Sequence, residues 1–194
     1  IGACEQHAYL SLLTDVRIPL ALADAASQQT GVLVAPPLNF GASPYFVSYP
    51  GTLSLRMTTL LDIVEDLIRS AHRQGFRRIL VLNGHGGNDG ARTRLYEIAN
   101  ELIDIRIAWY AWWTAHSVTD IALKYRLKPT HASWLEAFPF TTVTENPEGS
   151  KIPAIRPICT AHNGVKLATR PEFVQEFRPH EIGASMDLVN QSCE

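Results

Sequence analysis

Apolar side chains recur along this chain in two alternating periods, one helical and one extended. From Ser54 onward, Met57, Leu60, Leu61, Val64, Leu67, Ile68 and Ala71 follow the three-and-four spacing of a single helix face, and Gly75 supplies its C-terminal stop. Arg78-Ile79-Leu80-Val81-Leu82 then reads as a short strand, Asn83-Gly84-His85-Gly86-Gly87-Asn88 as a loop, residues 90–103 as a helix and residues 105–110 as a second strand. Upstream, residues 16–30 predict a helix with Pro19 in its first turn. Gly31-Val32-Leu33-Val34-Ala35 predicts a buried strand stopped by Pro36-Pro37, and residues 1–4 another strand. This alternation predicts the α/β class with a mostly parallel sheet. The order strand, glycine-rich loop, helix, strand is a right-handed crossover, so residues 83–88 lie at the carboxyl end of the sheet, where open α/β folds place their ligands. Prolines at 129, 139, 147, 153, 157, 171 and 179 predict loops and short elements in the last third.

The length of 194 residues fits one domain, 1–194, on a prior of roughly 150 residues per domain. With 17 basic and 19 acidic side chains the net charge is −2, which offers no basic field for a nucleic-acid backbone. The 46% hydrophobic and 19% charged composition is globular, and no apolar run approaches the roughly 18–20 residues of a membrane span. Neither nucleic acid nor a membrane is therefore an expected partner. Cys4, Cys159 and Cys193 are odd in number and widely spaced, neither a disulfide framework nor a thiolate zinc site, which fits a reducing cytoplasm. The chain opens on Ile1 and shows no secretory signal, and it reads as trimmed at one or both ends.

Three segments carry candidate chemistry. Glu5-Gln6-His7 ends the first predicted strand, where residues two apart share a side, and Asp15 follows just before the first long helix. Two carboxylates and an imidazole on one connection suit zinc, manganese or iron, although Asp15 could equally cap a helix and Glu5 could be a solvated charge. His85 stands between glycines in the 83–88 loop. Such a loop can present a metal ligand or cradle a phosphate, but glycines at 84, 86, 87 and 90 fit neither GxGxxG nor a P-loop, which favours the metal. His131-Ala132-Ser133-Trp134-Leu135-Glu136 adds a further imidazole and carboxylate.

Taken together, Glu5-Gln6-His7 with Thr14-Asp15, Phe40-Gly41-Ala42-Ser43 with Tyr49-Pro50-Gly51-Thr52-Leu53-Ser54-Leu55, Leu82 through Asn88, and His131 through Glu136 resemble, in order and spacing, the successive signatures of the creatininase (creatinine amidohydrolase) family. The resemblance covers about residues 1–137. It implies a three-layer α/β/α fold and a two-metal site, commonly zinc or manganese, that hydrolyses C–N bonds in small non-peptide or cyclic amides. Carried over position by position, Glu5 and His85 would bind one metal, His7 and Glu136 the other, and Asp15 would bridge them. A hydroxide shared between the cations would be the nucleophile and His131 the acid/base residue. The same resemblance implies a homo-oligomer, often a hexamer, acting on a small-molecule substrate. Ser43 and Gly84 in the matching loops, and Trp134 beside His131 and Glu136, are the candidate substrate contacts.

The chain also departs from the family pattern. Ala8-Tyr9-Leu10-Ser11-Leu12 replaces the usual Gly-Pro-His-Leu-Pro-Leu, Tyr45 and Phe46 stand where members often carry histidines, and Gly87 replaces a glutamate of creatininase itself. Ala137-Phe138 replaces the usual Thr-Ser. These differences fall in substrate-facing loops and bear on substrate identity more than on metal binding. The competing readings are a family hydrolase that opens a cyclic ketone by C–C cleavage and, in another class, a non-catalytic nucleotide- or sugar-binding domain. Trp109, Trp112 and Trp113 read as core packing, His72 as a solvated helix residue, and Arg92 and Arg94 as surface charge.

Overall fold

The structure, a computed structural model, describes residues 1–145. Helix α1 spans Thr14–Thr30, α2 Met57–Arg73, strand β1 Arg78–Asn83, α3 Ala91–Glu101, β2 Arg106–Ala111 and α4 His116–Tyr125. Single 3-10 turns at Gly86–Gly90 and Trp112–Thr114 follow the two strands.

The two strands pair in parallel, with Ile79 opposite Ile107 and Val81 opposite Trp109. Because side chains alternate across a strand, these four share one face. They pack with Leu60, Val64 and Ile68 of α2 and with Leu95 and Ile98 of α3 in the main core. Leu82 points the other way, into a second cluster formed by Ile18 of α1, Trp112 and Leu135. The layers are therefore α2 with α3, the sheet, and α1. This is the α/β arrangement the periodicity predicts. On the outer surface of the first layer, Arg69 joins Glu65 to Glu101 and Arg94 joins Glu65 to Glu97, so Arg94 is surface charge as expected.

Helix α1 begins two residues earlier than the apolar period suggests, which puts Asp15 in its first turn and Pro19 beyond it. Proline has no N–H to give the carbonyl four residues back. The freed Asp15 carbonyl packs against Gly84, where an added methyl would overlap it and would sit 2.6 Å from Pro19 Cγ. Glycine at 84 thus lets the end of β1 touch the start of α1.

Two strand expectations fail. Residues 31–35 form no ladder, and Val32, Leu33 and Val34 are 50%, 77% and 39% exposed. A buried strand needs a paired neighbour, and the nearest bridge to β1 lies past the segment's end: the Gly2 amide donates to Leu38, while Ile1 donates to Leu82 and accepts from Gly84. Residues 1–4 likewise make only that pairing and an isolated antiparallel bridge from Cys4 to Leu53. Helix α4 escapes the periodic reading because Ala122 is its only buried residue. Residues 126–145 are turns and bends, as Pro129 and Pro139 predict. The remaining prolines, Cys159, Cys193 and the rest of the expected 1–194 domain lie outside the described residues. No described helix is long and apolar enough to cross a membrane.

Candidate metal centre

Four of the five carried-over ligands are buried: Glu5 is 1% exposed, His7 0%, Asp15 3% and His85 7%. Glu136 lies at the rim, where its Oε2 accepts the Ala132 amide at 2.6 Å. Asp15 is central. Its Oδ1 lies 3.1 Å from His7 Nε2 and its Oδ2 2.8 Å from His85 Nδ1. Glu136 Oε2 lies 3.8 Å from the same His7 nitrogen, and Glu5 Oε2 lies 3.7 Å from His85 Nε2.

Backbone carbonyls orient both histidines. His7 Nδ1 donates to the Glu5 carbonyl at 2.9 Å, which leaves Nε2 facing Asp15 and Glu136. His85 Nε2 donates to the Ala42 carbonyl at 2.9 Å, with Ser43 Oγ 3.1 Å away, which leaves Nδ1 facing Asp15. A carbonyl can only accept, so each contact fixes a tautomer. Glu5 Oε2, His7 Nε2 and Asp15 Oδ2 are buried with no aligned hydrogen-bond partner, although opposite groups lie close. Nitrogen and oxygen donors that converge without an aligned hydrogen bond fit cations placed between them. Glu5, Asp15 and His85 form one candidate group, and His7, Asp15 and Glu136 a second that shares Asp15. The donor set therefore fits two divalent ions, with oxygen and imidazole ligands suited to zinc or manganese.

The metal-free electrostatics agree. Burial opposes a charge on His7, but Asp15 and Glu136 outweigh it and push its pKa up to about 10. Burial opposes His85 too, and Glu5 and Asp15 push it up to about 9. Burial opposes ionisation of Asp15, yet the two imidazoliums hold it well below the usual carboxylate range. Burial raises Glu5. In the absence of cations, protons fill the space between these carboxylates.

His131 differs from both. Burial, then the positive charge on His7, lowers its pKa to about 4, so it is neutral. It also joins Glu5 and His7 in a third close group, with Nδ1 3.5 Å from Glu5 Oε1.

The three residues expected to contact substrate, Ser43, Gly84 and Trp134, each make contacts within the protein. Ser43 is fully buried behind His85 and accepts no solvent, and Gly84 is wedged against α1. Trp134 packs on the Ile18, Trp112 and Leu135 cluster and donates its indole N–H to the Lys128 carbonyl. Trp112 is core, as expected, and Trp109 lines the main core. His72, expected to be solvated, pairs with Asp104 at 2.7 Å.

Two asparagines carry more of the site than their place in the motif suggests. Asn83 is fully buried: its Nδ2 donates to the His85 carbonyl at 2.8 Å and its Oδ1 accepts the His85 amide at 3.1 Å. Asn88, also fully buried, accepts the Ala42 amide at 3.0 Å and donates to the Gly2 carbonyl at 3.1 Å. Together they bind the His85 loop to the segments that carry Ala42 and Gly2. Polar residues inside a glycine-rich loop at the end of an apolar strand were the available signal.

The family model for creatinine amidohydrolase, Creatininase, matches residues 1–185, and the chain belongs to the creatininase family. Creatinine amidohydrolase of Pseudomonas putida is 33% identical over 141 residues, 66% of this chain and 54% of the relative. The mycofactocin precursor peptide peptidase of Mycolicibacterium smegmatis is 39% identical over 95 residues, 45% of this chain and 38% of the relative. The chain thus spans about half or less of the length of these curated relatives. A crystal structure of creatinine amidohydrolase superposes with a TM-score of 0.66 at 26% identity, over 93% of this chain and 73% of that one. Creatininase structures sharing this fold include Zn and Mn forms.

Proposed function

We propose that this chain forms the catalytic part of an amidohydrolase that uses two divalent cations, zinc or manganese, to cleave a C–N bond in a small cyclic or non-peptide amide. One observation carries the reading: two candidate ligand groups share a single buried carboxylate, Asp15, whose two oxygens face different histidines. When bound there, a cation pair supplies a water of lowered pKa and polarises the scissile carbonyl.

The chain's own residues do the rest. His7, His85 and Glu136 are held by main-chain contacts, and Glu5 and Asp15 lie buried beside them, where charge acts strongly. His131 is neutral and lies beside the carboxylates, so it can accept a proton from attacking water and return it to the departing nitrogen. A small amide is favoured over a peptide because the creatinine-hydrolysing relative matches a larger share of this chain than the peptidase does.

Elemental analysis after reconstitution with zinc or manganese tests the centre, and about two ions per chain are expected. Uptake of none would overturn the reading in favour of a non-catalytic domain. His131→Ala should keep both ions while amide turnover falls by at least about a hundredfold. Equal loss of ions and turnover would make His131 a ligand. A panel of creatinine-like cyclic amides and short peptides decides the substrate class; cleavage of peptides alone would reverse the preference for small amides.

A further inference from the structure

We infer that Phe46 is a positioning residue that clamps the His131 imidazole, together with the Gln6 main-chain carbonyl, so that His131 works from Nδ1 alone. The inference rests on the hydrolase reading for its consequence but on geometry for its content. His131 Nε2 lies 2.8 Å from the Gln6 carbonyl oxygen. That oxygen can only accept, so the ring carries its proton on Nε2 and presents the Nδ1 lone pair toward Glu5 Oε1, 3.5 Å away. The distance exceeds a normal hydrogen bond, so Nδ1 is not tied to Glu5 and its lone pair stays available beside the carboxylates.

One hydrogen bond does not by itself stop an imidazole from turning over about its χ2 axis, because that torsion is broad. Here two neighbouring rings crowd the imidazole. The Phe46 ring stacks on it, with centroids 4.3 Å apart and planes 28° apart, and the His7 ring lies 4.1 Å away at 40°. Phe46 is itself 7% exposed and stacks on Tyr49 at 5.8 Å. Its position is fixed by main-chain bonds on both sides, from its own amide to the Ser43 carbonyl and from the Tyr49 amide to its carbonyl. A phenyl ring offers no lone pair or N–H in the imidazole plane. It therefore shields the imidazole without competing with the Gln6 carbonyl, and a turned ring would lose that acceptor. The Ser43 to Tyr49 turn thus serves both histidines: Ser43 contacts His85, and Phe46 holds His131.

The test is the ring tautomer, read by nitrogen NMR on the full chain with labelled histidine and zinc added, with the His131 signals assigned by their loss in His131→Gln. One set is expected, with Nε2 protonated and Nδ1 of the unprotonated type. Phe46→Leu should keep the zinc content and add a second set with the proton on Nδ1, or shift both nitrogens toward an average. Phe46→Tyr, which restores the flat ring, should return the original pattern. A proton on Nδ1 in the unmodified chain, or a single unchanged set in Phe46→Leu, would overturn the clamp. If Phe46→Leu does not fold, Phe46→Met carries the same comparison. If no zinc binds, the hydrolase reading fails separately, and the tautomer in the metal-free chain still decides the clamp.

Discussion

The two ends of β1 are built differently. At its carboxyl end, Asn83, His85 and Asn88 are buried and bonded to the segments that carry Gly2 and Ala42, and methyls on Gly84 and Gly87 would overlap the carbonyl oxygens of Asp15 and Ala42. Along its body the sheet has only β2 beside it among the described residues, and Leu80 is 62% exposed, Tyr110 42%. The contrast teaches that the ligand cluster owes its order to close backbone approach and buried amides at one strand end, not to the breadth of the sheet. It also predicts that substitutions at the two places differ sharply.

The largest effect belongs to Asp15. It is the one carboxylate shared by both candidate groups, so Asp15→Ala removes a ligand from each and leaves less negative charge between two cations. Both ions should be lost by elemental analysis, whereas His7→Ala or Glu136→Ala should deplete mainly one. Two ions retained in Asp15→Ala would contradict the bridging placement.

Next comes the backbone approach itself. Gly84→Ala should destabilise the fold by about 2–3 kcal/mol, because the new methyl meets main chain that cannot move without shifting α1. Gly86→Ala, with open space around the added methyl, should be close to neutral. Urea unfolding of the pair measures the difference, and equal midpoints would remove the argument from close contact.

A smaller effect reports the electrostatics. His7 and His85 are raised from 6.5 to about 10 and about 9 in the metal-free chain. A raised imidazole pKa adds stability that is complete below the unfolded value and is lost as pH climbs through the folded one. The metal-free chain should therefore weaken from about pH 6.5 upward, first through His85 and then through His7. Near pH 7, zinc uptake should release about two protons, seen in calorimetry as a dependence on buffer ionisation heat. Heats independent of buffer would mean that the histidines are already neutral.

Much of this was legible in the chain. Helix α2 announces itself through a strict apolar face, and the strand, loop, helix, strand order gives the parallel crossover and places His85 at its end. Glu5, His7, Asp15, His85, Glu136 and His131 all converge. What was not legible depends on neighbours distant in sequence. Composition gives residues 31–35 a buried strand's character but cannot supply a ladder partner. Nothing in the local sequence of Ser43 shows its contact with His85, 42 residues away. The stack of Phe46 on His131 leaves no trace in either local sequence.

The smallest effect tests the open side of the comparison. Leu33 is 77% exposed and Leu80 62%, so neither gains much from burial in the described fold. A leucine fully buried contributes about 1.5–3 kcal/mol, and one that keeps most of its surface in water contributes a small part of that. Leu33→Thr and Leu80→Thr should each change unfolding stability by less than about 0.5 kcal/mol and leave the zinc content unchanged. A loss above 1 kcal/mol, well beyond the surface range of about 0.5 kcal/mol, would show that this flank is covered in solution. Repeating the measurement over a range of protein concentrations then separates the two ways to cover it. A loss that depends on concentration identifies a second copy of the chain, and a constant one identifies cover from within the same chain.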